Sequence, residues 1–165
     1  MRALGAVMMA LSGVGLASVV FSGTEAVAQF AAPLALFGVI GWGAFWQPRV
    51  EVSDGGVTVV NTLRTVEVPW PAVQGVDGRY GLRLSTSYGR VSAWSAAAPV
   101  GPERARGVQS PAAGAVTERL EALRAAGHLE GAKLERAAPR TTWHIPLIAC
   151  LTTFVLATVI LPLLA

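Results

Sequence analysis

The chain has 165 residues, 53% hydrophobic and 14% charged, with a formal net charge of +3 and a single cysteine. It is too short for several large soluble domains. One cysteine rules out an internal disulfide framework, and a small excess of arginine is no footprint for nucleic acid. The charges are segregated: apart from Arg2 and Glu25, all of them lie between Arg49 and Arg140. Apolar spans flanking one polar module produce this pattern.

Residues 3–21 form an uncharged apolar run close to the roughly twenty residues that cross a hydrocarbon core. A second run covers 27–46, after a short Ser-Gly-Thr-Glu-Ala link, so the two are expected to form a transmembrane helical hairpin. Gly13 and Ala17 in the first run, and Gly38, Gly41 and Gly43 in the second, offer small-residue contacts for close helix packing. A competing reading takes Ala26-Val27-Ala28 as a signal-peptide cleavage site behind Arg2, which would reverse the topology. No Asp, Glu, Lys or Arg falls within a span, which argues against a transporter or pump. Arg2 and the Arg-bearing module both place their segments in the cytoplasm, with the Ser22–Gln29 link outside. Trp42 and Trp46 are expected at the headgroup level on the cytoplasmic side.

Residues 47–126 are expected to form a small β-sandwich or barrel closed by a C-terminal helix. Val50 and Val52 alternate with Glu51 and Ser53. Ser53-Asp54-Gly55-Gly56 follows as a turn able to take positive φ. Apolar residues then occupy odd positions (Val57, Val59) and later even ones (Val66, Val68). A side-chain period of two cannot change phase within one strand, so a turn must lie near Asn61–Arg64. Pro69 and Pro71 end the ladder around Trp70. Val73 and Val76 read as a short strand or turn before Asp77-Gly78. Tyr80–Thr86 and Val91–Ala96 read as strands around a Ser87–Arg90 hairpin loop, giving five to seven strands in all.

Pro99–Gly107 reads as a loop. A helix is expected over 111–126, with Ser110 as N-cap, Pro111 in the first turn and Gly127 after the end. Its apolar stripe is Ala113, Val116, Leu120 and Leu123, with Glu118, Glu121 and Arg124 opposite. Residues 127–142 are polar and read as a linker or short helix. A third transmembrane helix covers 143–164, with Trp143 at the headgroup level and Pro146 in the first turn, where its missing donor is tolerated. The C-terminus then lies outside.

The chemistry of a catalytic centre is missing from the sequence. There is no zinc-spaced His/Cys set, no Gly-x-Ser-x-Gly elbow and no phosphate-cradling loop. His128 and His144 lie in unlike settings and are not expected to share a metal. Cys150 reads as a small packing residue. The chain is therefore read as non-enzymatic, with no cofactor.

Trp46-x-Pro48, Gly56-Val-Thr-Val-Val-Asn61-x-Leu63-Arg64 and Val68-Pro69-Trp70 with Val73 together resemble the bacterial pleckstrin-homology (PH) domain membrane proteins. They are similar in particular to the actinobacterial family whose domain is called the low-molecular-weight protein antigen six PH domain. The resemblance implies a bent sandwich of two antiparallel sheets closed by a C-terminal helix. It implies no activity. In eukaryotic PH domains basic residues around the first inter-strand loop hold phosphoinositides. That loop here, Ser53–Gly56, has Asp54 and no Lys or Arg, so headgroup binding is not carried over.

The expected protein is thus integral to the plasma (inner) membrane, with lipid as its solvent and a cytoplasmic PH-like module. That module binds an unknown protein partner or itself, and no nucleic acid. The sheet edge and the surfaces near Trp70 and Trp94 are contact candidates, with core packing as the alternative for each tryptophan. A second reading is an anionic-lipid surface sensor using Arg79, Arg83 and Arg90. A third is a structural subunit of a larger membrane complex, docked through the Gly-rich hairpin.

Overall fold

A computed structural model describes residues 2–96, 110–129 and 138–164. The expected Pro99–Gly107 loop and most of the expected linker, with Lys133 and Arg136, lie outside the described residues. The described α-helices are α1 (Arg2–Phe21), α2 (Thr24–Gly41), α3 (Pro111–Ala125) and α4 (Ile145–Leu164). The chain divides into two units, Met1–Gln47 with His144–Ala165, and Pro48–Trp143.

In the first unit α2 runs on into a five-residue π-helical segment, Trp42–Trp46. Among the described residues three helices are long and apolar enough to cross a membrane: Arg2–Phe21, Thr24–Trp46 and Ile145–Leu163. The link between the first two is only Ser22 and Gly23, and Gly23 takes a φ of +104° that other residues rarely adopt. α2 therefore starts three residues earlier than its apolar run suggests. α1 and α2 pack through small residues. Ser12 is buried and its Oγ donates to the Leu34 carbonyl at 2.7 Å. A Cβ on Gly38 would stand 2.6 Å from Ser12 Oγ, and one on Gly41 2.8 Å from Met8 Cβ. Gly38 and Gly41 thus meet the packing expectation. Gly13 and Ala17 do not: both are exposed and Gly13 has nothing within 4 Å of its missing Cβ. Small residues lie on more than one face of α1, and the face holding Ser12 is the one that packs on α2. Gln47 Nε2 and His144 Nδ1 pair at 3.1 Å.

The second unit is a two-sheet β module. Its strands are β1 (Arg49–Val52), β2 (Gly56–Val60), β3 (Arg64–Pro69), β4 (Val73–Asp77), β5 (Arg83–Thr86), β6 (Gly89–Ser92) and β7 (Arg140–Trp143). The sheets run in the orders β1-β2-β3-β7 and β4-β5-β6, with every pair antiparallel. The phase change read in the sequence is explained by register. Val57 faces Val68 and Val59 faces Val66, so odd positions on β2 share the inner face with even positions on β3. All four are buried. Each fully buried valine contributes of the order of 1.5 kcal/mol or more. Val73 and Leu84 join them from the second sheet, Leu82 and Ala93 from the residues next to its strands, and Trp70 from the 3-10 turn Trp70–Ala72.

α3 closes this core with Ala113, Val116 and Leu120, as its periodicity predicts. Ser110 caps it by accepting from the Ala113 N–H at 3.2 Å. At the other end Gly127 takes φ +70°. Its N–H reaches the Arg124 carbonyl while that of His128 reaches Leu123. That paired arrangement satisfies two of the last carbonyls.

Four readings need correction. Residues 127–142 are not simply a linker: Arg140–Trp143 is an edge strand on β3, hydrogen-bonded although its four side chains are all exposed. Trp143 therefore belongs to the sheet, and the third apolar helix begins at Ile145. β6 stops at Ser92, so Trp94 lies beyond the strand, 63% exposed. In the first turn neither Gly55 nor Gly56 has positive φ. Gly56 is needed for room instead, since its Cβ would stand 2.3 Å from the Val68 carbonyl oxygen.

Candidate interaction surface

Trp70 and Trp94 take opposite fates. Trp70 is 2% exposed and its Nε1 donates to the Ser53 carbonyl at 2.9 Å, which ties the β1–β2 turn to the core. Trp94 stands at the surface, held by its backbone: its N–H donates to Asn61 Oδ1 at 2.7 Å, while Asn61 Nδ2 donates to the Ser92 carbonyl at 2.9 Å. A single asparagine in the β2–β3 turn thus fastens one sheet to the end of the other.

Arg83 and Arg90 lie on the solvent face of the second sheet. Arg83 faces Asp77 on one side and Ser92 on the other, and Arg90 faces Ser85. They are diagonal neighbours across β5 and β6, a spacing of about 7–8 Å. Arg79 lies apart from them in the β4–β5 connection, where its N–H donates to Asp77 Oδ1 at 2.9 Å. The Arg83 guanidinium sits 5.9 Å from the Tyr80 ring centroid. Tyr80 and Tyr88 are more than half exposed. Two of the three arginines therefore share a face, and the third flanks it.

Two shallow clefts accompany this surface. One, of about 430 Å³, borders Gly56, Thr58, Glu67, Pro69 and Arg140. The other, of about 220 Å³, lies between Arg64 and Thr141 on the first sheet and Thr86, Tyr88 and Arg90 on the second. The second cleft brings Arg90 to Arg64, a residue outside the expected basic set. Arg64 also lies 5.7 Å from the ring centroid of Trp143, its register partner. Nothing in the sequence signalled that pairing, because Arg-Thr-Thr-Trp shows no apolar alternation. Among the described residues no group of three or more His, Cys, Asp or Glu is placed to hold a metal.

The opposite turn is electrostatically distinct. Asp54 is fully in solvent and pairs with Arg119 of α3 at 2.6 Å, a surface contact of small energy. The first inter-strand loop therefore presents a carboxylate, not a basic cradle.

No curated protein and no solved structure matches the chain. Residues 47–127 match the family model described as Bacterial PH domain. That stretch runs from the end of the second apolar helix to the cap of α3 and holds six of the seven described strands, so the chain carries a PH-like domain, a two-sheet module flanked by apolar helices.

Proposed function

We propose that the chain is a non-enzymatic integral membrane protein whose cytoplasmic PH-like module recruits a protein partner, or a second copy, at the membrane. The observation that supports this is the solvent face of β5 and β6. It carries Arg83 and Arg90 on one face, with Tyr80 and Tyr88 exposed beside it, on a hairpin whose outer strand β6 is a sheet edge. Exposed tyrosine and arginine are the side chains that interfaces favour, and an edge strand offers backbone donors and acceptors. The three apolar helices support membrane integration. The affinity to the actinobacterial antigen-six proteins belongs to the same proposal.

The anionic-lipid reading draws on the same arginines, since Arg83 and Arg90 share a face. The structural-subunit reading has less support, because Gly38 and Gly41 are already taken up by α1.

The test is in-cell photocrosslinking from position 88 or 90 of the full chain, followed by mild-detergent purification and mass spectrometry. One stoichiometric protein, or the chain itself, is the expected product. Crosslinks to lipid alone would replace this reading with the lipid sensor. A reporter after Ala126 should read cytoplasm and one after Ala165 exterior; the reverse would sink the uncleaved three-span topology.

A further inference from the structure

Both connections of the β module leave one end of one sheet. β1 begins at Arg49, which faces Val60; Val60 faces Thr65 on β3; the adjacent Arg64 faces Trp143, the last residue of β7. The entry and exit strands are thus the two edges of the same four-stranded sheet, and both open beside the β2–β3 turn. Only Gln47 and Pro48 separate Trp46 from Arg49, and only His144 separates Trp143 from Ile145. At about 3.3–3.6 Å per residue, the chain alone keeps Arg49 and Trp143 within about 11 Å of the apolar helix ends, whatever angle the module takes.

The side chains gathered at that end are amphipathic. Leu63 is 42% exposed, Trp94 63% and Trp143 52%. Asn61 brings the first two together, since it bonds the backbone of Trp94 and sits in the same turn as Leu63, while Trp143 faces the next residue, Arg64. Arg64 stacks on Trp143, and Arg49 is ion-paired to Glu51 on its own strand. Asp54 lies at the opposite turn of the sheet. Indole rings and a leucine beside a guanidinium match the boundary where acyl chains meet phosphates.

We propose that Leu63, Arg64, Trp94 and Trp143 form a docking surface for the headgroup layer of an anionic bilayer. The apolar tips enter the layer and Arg64 meets phosphate. This rests on the membrane-spanning reading above and deepens it. It centres the lipid contact on the β2–β3 turn, with Arg90 flanking it across the cleft it shares with Arg64.

The test uses the full chain with Cys150→Ser, reconstituted in phosphatidylcholine vesicles with and without phosphatidylglycerol. A bimane label is placed at Leu63→Cys, and at Asp54→Cys and Val155→Cys as references, and quenched by lipids spin-labelled near the headgroup or along the acyl chain. Val155 is an exposed position within α4. The expected result is strong shallow quenching at position 63, deep quenching at 155 and none at 54. Arg64→Gln should lower the docked-to-undocked ratio about fivefold, and only with phosphatidylglycerol present. Quenching at 155 but equal, weak quenching at 63 and 54 overturns the docking surface while leaving the spans intact. No quenching at 155 overturns the membrane reading and the docking surface together. Docking at 63 indifferent to both Arg64→Gln and phosphatidylglycerol overturns the anionic assignment.

Discussion

Gly55→Ala and Gly56→Ala, one residue apart in the same turn, are expected to part company. A Cβ at Gly55 meets nothing within 4 Å, and its φ is not in the left-handed region. Alanine there removes freedom from the unfolded chain and should stabilise by about 0.4–1 kcal/mol. At Gly56 the Cβ would stand 2.3 Å from the Val68 carbonyl oxygen and 2.8 Å from Pro69 Cα. Both are backbone atoms, so no side chain can swing aside. The β2–β3 ladder must open at the Gly56–Pro69 pair, beside the buried Val57–Val68 pair. Overpacking of this kind costs about 1–3 kcal/mol, with the upper end expected where only backbone can yield. For a module of this size each kcal/mol moves Tm by about 4–8 °C. Thermal unfolding of the full chain in detergent, followed by tryptophan fluorescence, should show Gly55→Ala at or above the wild type and Gly56→Ala lower by at least about 4 °C. Equal melting of the two variants would refute the claim that Gly56 is there for close approach.

Trp70→Ala should cost about 3–5 kcal/mol, because it empties a core position and removes the donor to the Ser53 carbonyl; a loss near zero in the same melt would mean the turn is not tied to the core. Ser110→Ala should cost about 1 kcal/mol through the lost cap, with Ser110→Asp restoring most of it. Gly38→Leu should loosen the α1–α2 hairpin, seen as faster cysteine labelling at an introduced Ser12→Cys, while Gly13→Leu should leave it unchanged. Proline at Thr141 and at Thr142 should act unequally, since alternate residues of an edge strand donate toward the sheet and toward solvent. Hydrogen exchange along β3 should rise for one and not the other, and identical exchange for both would argue that β7 is not paired in solution.

The parts of the fold legible in the sequence are those in which burial writes a period. Val57, Val59, Val66 and Val68 announced two strands and the turn between them, and Ala113, Val116 and Leu120 announced the helix stripe, because each of these faces a core. β7 left no such trace. Its four side chains are exposed and its membership in the sheet is carried by backbone hydrogen bonds, which any sequence without proline can make. The same reasoning covers Gly13 and Ala17. Small residues permit close packing on whichever face they occur, so composition names candidates and only the partner helix selects among them.

The site was legible to a smaller degree, and the reason is topological. Arg83 and Arg90 lie seven positions apart in the chain, and a single hairpin register suffices to place them on one face. Arg64 and Trp143 are separated by most of the module. Their meeting requires that the chain, after closing the core with α3, return to the first sheet as its fourth strand. That return has a structural consequence. The strand entering the sheet follows the second apolar helix, and the strand leaving it precedes the last one, so the two edges of one hydrogen-bonded sheet are the two connections of the module. Arg64 over Trp143 adds a side-chain contact to the β3–β7 backbone ladder, a cation–π pair contributing about 0.5–1 kcal/mol at an exposed site.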